Sequence, residues 1–138
     1  MADTLPTKIA LTVVTRERKF IEIDVDEVVL PASDGEIGVL PGHTPLLTTL
    51  RIGVLRYRAG STVEQIVISW GFAEVLPDRV IVLAERGVLP AEIDISAVES
   101  DRNEAEKELA YLSSNDPEFA IVEGRLEESV ALINIHRE

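Results

Sequence analysis

A chain of 138 residues, 46% of them hydrophobic and rich in Val, Ile and Leu, has room for one compact domain with an appendage and can build a core without disulfides or metal. Its net charge of −12 argues against direct nucleic-acid binding, and the absence of cysteine removes thiolate nucleophiles, iron–sulfur ligation and the usual zinc sites. Met1–Lys8 lacks the basic and apolar run of a secretory leader, and the longest uncharged run, Ile37–Leu50, is broken by Pro41, Gly42 and Pro45 and is too short to span a bilayer, so any membrane link is expected through partners.

In chain order, Ile9, Leu11 and Val13 alternate as one face of a strand, and Phe20–Asp26 follows with Glu22, Asp24 and Asp26 on one side and Ile21, Ile23 and Val25 on the other. Further β-rich runs are predicted at Glu27–Pro31, Ile37–Leu40, Ile52–Ala59, Thr62–Trp70, Phe72–Leu76 and Arg79–Ala84. The turn chemistry of Ser33-Asp34-Gly35, Ala59-Gly60-Ser61 and Pro77-Asp78 separates them. Frequent turns with no helical period between them predict an N-terminal antiparallel β-sandwich of about ten short strands over residues 1–91.

After Pro90 the apolar spacing lengthens towards a helical one. Ser96 and Glu99 form a capping-box pattern ahead of Arg102–Leu112, and Ser113-Ser114-Asn115 interrupts the run. Asp116-Pro117-Glu118 then supplies a cap, a proline at the first helical position and an acid at the positive end of the dipole. Phe119, Val122, Leu126, Val130 and Ile133 make a stripe expected to face Val98, Ala105, Leu109 and Leu112, so residues 92–138 are predicted to form an antiparallel two-helix hairpin. The two parts differ in charge: residues 1–91 carry 12 acidic and 9 basic side chains, and residues 92–138 carry 13 acidic and 4 basic.

No sequence feature demands catalysis. Phosphate-binding loop, nucleophile elbow and zinc-protease motifs are absent, and His43 and His136 are the only histidines. An enzyme would need a convergent carboxylate pair drawn from Asp24, Asp26, Glu64 and Glu74, which the spacing does not select. No cofactor and no metal site are expected.

The informative segment is Leu30-Pro31-Ala32-Ser33-Asp34-Gly35-Glu36-Ile37-Gly38-Val39-Leu40-Pro41-Gly42-His43-Thr44-Pro45-Leu46-Leu47. Its glycines and prolines call for a loop, a short strand and a second loop held in unusual backbone conformations, and Leu46 and Leu47 could form a sheet corner or a docking edge. With Ile52-Gly53-Val54-Leu55, Gly71-Phe72-Ala73-Glu74-Val75 and Val80-Ile81-Val82-Leu83-Ala84-Glu85 following in order, it resembles the epsilon subunits of F-type ATP synthases, called delta in mitochondria. The resemblance implies a non-catalytic rotor subunit whose sandwich grips the gamma subunit and rests on the ring of c subunits, coupling ring rotation to ATP synthesis in the catalytic head. It implies Glu36 at the c-ring and His43, Thr44, Leu46 and Leu47 at gamma, with the hairpin able to reach the alpha/beta head and weakly regulate hydrolysis. The complex would lie on the cytoplasmic face of a bacterial plasma membrane.

Three departures from that family stand out. The ATP-binding pattern of some bacterial members, aliphatic-Asp-x-x-Arg-Ala, here reads Ile93-Asp94-Ile95-Ser96-Ala97-Val98, so Asp94 is kept while Ala97 replaces the arginine. The second helix is acidic where inhibitory members are basic. Trp70 stands where the family commonly has glycine; its side chain suits either core filling or an interface anchor, and core filling is the expected use. A nucleotide-sensing regulatory β-sandwich protein is the alternative reading.

Overall fold

Large aliphatic side chains at every second position can be buried only by strands that stack one face against another, and the first part of the chain follows that rule. The computed structural model describes residues 5–137, so Met1–Thr4, on which part of the leader reading rests, and Glu138 lie outside the described residues. The eight strands are β1 (Ile9–Val14), β2 (Lys19–Val25), β3 (Glu27–Ala32), β4 (Gly35–Val39), β5 (Leu46–Leu50), β6 (Gly53–Ala59), β7 (Thr62–Leu76) and β8 (Arg79–Val88). The expected count of about ten is therefore too high among the described residues.

Hydrogen bonding runs β2-β1-β8-β7-β5-β3-β4, with β6 bridging β3 and β7. The first half of β7 pairs with β6, from Thr62↔Ala59 to Ile68↔Gly53, and its second half pairs with β5, from Gly71↔Leu50 to Val75↔Leu46. One long strand thus serves two layers, β2-β1-β8-β7-β5 and β4-β3-β6-β7, and the sheet folds over at residues 70 and 71. The two runs expected at Thr62–Trp70 and Phe72–Leu76 are therefore one strand. Trp70 at φ 57° and Gly71 at φ 140° bend β7 as it changes partners. A Cβ on Gly71 would lie 2.0 Å from the Leu83 carbonyl oxygen, so only glycine fits.

The pairing is antiparallel except between β1 and β8, which run parallel from Ala10↔Arg79 to Val14↔Leu83. These strands come from opposite ends of the domain, and the intervening chain supplies the long crossover that a parallel pair needs. Between the layers, Ile9, Leu11, Val28, Leu30, Leu55, Ile68, Val75 and Val80 are completely buried. Each contributes roughly 1.5–3 kcal/mol of burial. β2 is an edge strand, so only its Val25 is fully covered and Ile23 is 42% exposed, which corrects the expected half-buried strand. Asp26 falls between β2 and β3 and takes no part in the alternation of β2.

The chain divides into two compact units at Gly87/Val88. The second unit begins with a 3-10 turn, Pro90–Glu92, followed by α1 (Ile95–Ala110) and α2 (Pro117–Arg137). Asp94, not Ser96, is the N-cap of α1, its carboxylate accepting from the Ala97 N–H at 3.3 Å. Ser113–Asp116 makes the turn, with the Ser113 N–H donating to Asp116 Oδ2 at 2.7 Å. So short a connection sends α2 back along α1, and Arg125 reaches Glu108 across the pair at 3.2 Å. The buried stripe comprises Val98 and Ala105 on α1 with Val122, Ser129, Leu132, Ile133 and Ile135 on α2. Val130 is exposed, so the true stripe steps through Ser129 where a polarity pattern selects its larger neighbour.

Candidate docking surface

Strand order scatters the residues singled out by sequence. Glu36 opens β4 beside the β3–β4 turn, exposed and 3.5 Å from Arg56 Nη2, an ion pair worth no more than about 1 kcal/mol at such a surface. His43 and Thr44 lie past the far end of β4, whose run from Glu36 to Val39 spans roughly 10 Å at about 3.3 Å per residue. That loop is pinned to the β7–β8 turn by Gly42 N–H donating to the Pro77 carbonyl at 2.7 Å, and His43 Nδ1 donates to the Thr44 carbonyl at 2.7 Å. Gly35 and Gly42 have positive φ as expected of this segment, whereas Gly38 is ordinary strand.

Leu46 and Leu47, for which a sheet corner and a docking edge were both open, are consecutive residues of β5. Leu46 is opposite Val75 and Thr48 is opposite Ala73, so Leu46 shares the face of two buried residues and is 39% exposed only because it ends the strand. Leu47 is opposite Glu74 on the outer face and is 72% exposed. The sequence offers no polarity alternation from which this could be read.

The same outer face carries residues that the sequence reading passed over. Phe72 on β7 and Leu83 on β8 are 55% and 51% exposed, and with Val14, Thr15, Arg16, Gly71, Ala84 and Glu85 they line one shallow depression. Phe72 is opposite Thr49, and Leu83 is opposite Val14, which places the apolar row across β5, β7, β8 and β1. Strand parity was the available signal: Phe72 is outward because Ala73 and Val75 are inward. Trp70 is 41% exposed, which corrects its expected use as core filling. Its left-handed backbone costs roughly 1–2 kcal/mol relative to glycine.

Catalytic chemistry finds no support in this arrangement. Among the described residues no group of three or more histidine, cysteine or acidic side chains is placed to hold a metal. Asp26 is engaged by Lys8, the Gly60 N–H and Arg58, and its carboxyl is held below the usual range chiefly by the Lys8 hydrogen bond, then by Gly60, the reverse of a carboxylate pair sharing a proton. Asp94 has a structural duty as a cap, and Ala97 is exposed beside it without a cation.

The chain matches the family described as ATP synthase, Delta/Epsilon chain, beta-sandwich domain over residues 8–90. It is 41% identical over 128 residues to the ATP synthase epsilon chain of Syntrophobacter fumaroxidans, covering 93% of this chain and 95% of the relative. The epsilon chain of Halalkalibacterium halodurans is 41% identical over 115 residues, covering 83% of this chain and 86% of the relative. Among solved structures, a chain of the Euglena gracilis mitochondrial ATP synthase, in an assembly of OSCP, F1 and c-ring, superposes with a TM-score of 0.83 at 27% identity over 96% of this chain and 83% of that one. A chain from the central stalk and c-ring of the Tetrahymena thermophila enzyme shares the fold with a TM-score of 0.61 at 15% identity, covering 96% and 99% of the two chains.

Proposed function

The chain belongs to the delta/epsilon family of ATP synthase subunits, and on that premise we infer that it works as a non-catalytic central-stalk subunit of the rotary enzyme, coupling rotation of the c-ring to ATP synthesis in the head. The catalytic sites of such an enzyme lie in other subunits. The observation that carries this reading is an alignment at 41% identity that takes in 93% of this chain and 95% of a bacterial epsilon chain, and so extends past the sandwich into the hairpin. Co-purification with the alpha, beta and gamma subunits from solubilised membranes tests it. Recovery of the chain apart from them would overturn it.

Within that assembly we place Glu36 towards the c-ring and the outer face carrying Leu47 towards gamma, with His43, Thr44 and Leu46 at the near end of that contact. Glu36 and His43 flank opposite ends of β4, which leaves an end of the sandwich for each partner. No helix among the described residues is long and apolar enough to cross a membrane. We place the chain on the cytoplasmic face of a bacterial membrane through the complex, a reading supported by its bacterial ATP synthase relatives. The hairpin is proposed to touch the alpha/beta head and to inhibit hydrolysis weakly, because its acidic surface is a poor match for acidic segments. ATP is proposed to bind weakly: a missing charge-assisted phosphate contact costs about 1.5–3 kcal/mol. Calorimetric titration with ATP checks this, and tight binding would refute it.

A further inference from the structure

We propose that Trp70 is a preformed anchor through which this chain seats on its central-stalk partner, a proposal that rests on the central-stalk reading above. At φ 57° the residue occupies the left-handed region, which glycine adopts freely and a bulky side chain seldom does. Full burial within the chain does not account for it, since the residue is 41% exposed. The corner that carries it is rigid: Ser69 before it is buried, and Gly71 after it is packed so closely on the Leu83 carbonyl that no Cβ fits. The indole therefore needs little ordering when a partner arrives, which is the economy that makes rigid aromatic residues dominate interfaces.

The surroundings define the chemistry of the occupant. Phe72, two residues further along β7, and Leu83 on β8 are exposed apolar residues that line a depression together with Gly71, the residue after Trp70. Glu85 lines that depression with them, Glu74 is exposed two residues along the outer face, and Arg16 forms the remaining rim. The fitting partner segment is an apolar side chain of the stalk subunit flanked by lysine or arginine on the Glu74 and Glu85 side. An acidic segment would meet Glu74 and Glu85 as like charges, on a sandwich that already carries 12 acidic and 9 basic side chains over residues 1–91.

Because Trp70 is the sole tryptophan of the chain, 5-fluorotryptophan labelling places one fluorine reporter there. On titration with purified gamma subunit, its resonance is expected to shift and to lose solvent accessibility. Trp70→Gly and Trp70→Asn both suit a left-handed backbone, and each is expected to retain cooperative melting while binding gamma about 10- to 100-fold more weakly. An indole that stays solvent-accessible in the complex overturns the proposal, as does wild-type affinity in either folded variant. Protection by isolated c-ring and not by gamma overturns the assigned occupant. Failure of the unmodified chain to bind gamma at all counts against the central-stalk reading itself, and should a variant unfold, the labelled wild-type chain still decides.

Discussion

Asp26 acts at the scale of one carboxylate that fastens three segments. Its Oδ2 accepts from the Gly60 N–H in the β6–β7 turn at 2.7 Å, Lys8 ahead of β1 pairs with Oδ1, and Arg58 Nη1 lies 3.5 Å away. Because its folded carboxyl titrates below its ordinary value of 3.8, its stabilisation is present in full above that pH and is lost as pH falls through the folded value. Asp26→Asn should lower the melting temperature at pH 7, and the gap from wild type should narrow as melts are taken progressively below pH 3.8. A gap that stays constant with pH would assign the effect to packing instead. Leu47 carries the second residue-scale prediction: Leu47→Asp should remain folded and weaken gamma binding about 10-fold or more, while Glu106→Lys on the exposed face of α1 leaves affinity unchanged. Leu46→Asp should chiefly lower the melting temperature, because its side chain shares the core face. Equal binding losses for Leu47→Asp and Glu106→Lys, measured by calorimetry on folded proteins, would move the docking surface elsewhere.

Among the elements, β7 decides the architecture, since its two halves belong to different layers and meet at the bend at Trp70–Gly71. Gly71→Ala would set a methyl group 2.0 Å from a backbone oxygen at a φ of 140°, and neither atom can move cheaply. A loss of about 3 kcal/mol or more is expected, visible in chemical denaturation. Gly38→Ala is the control, having ordinary strand geometry and nothing within 4 Å of the new methyl. Most strands were legible because alternation and turn residues are local signals. β5 was not, because Leu46-Leu47-Thr48-Thr49-Leu50 has no strict alternation and follows a proline-rich loop. The cap of α1 was not unique in the sequence for a related reason: Ser96 and Asp94 both carry capping chemistry, and the backbone geometry that selects Asp94 is absent from the sequence.

At the scale of the whole molecule, acidic charge concentrates in the second unit and apolar exposure of the outer sheet face belongs to the first. A chain ending at Ala91 is expected to keep a cooperative thermal transition and to bind gamma, since the sandwich carries its own aliphatic core. In the assembled enzyme the same truncation should raise ATP hydrolysis only slightly, and a large rise would show that the acidic hairpin inhibits strongly. The sequence by itself determined the strand-rich first part, the helical hairpin, their order and the family, because each follows from local spacing or from a motif whose order survives in one dimension. It placed the division at 91/92, whereas β8 continues to Val88 and the compact units part at Gly87/Val88. Only the tertiary structure decided that β1 and β8 run parallel, that β7 spans both layers, that Leu46 and Leu47 face opposite ways, and that Trp70 stands exposed with Phe72 and Leu83. Those features depend on which strands meet and in what register, which is settled by the joint burial of residues far apart in the chain and is invisible to any short window of sequence.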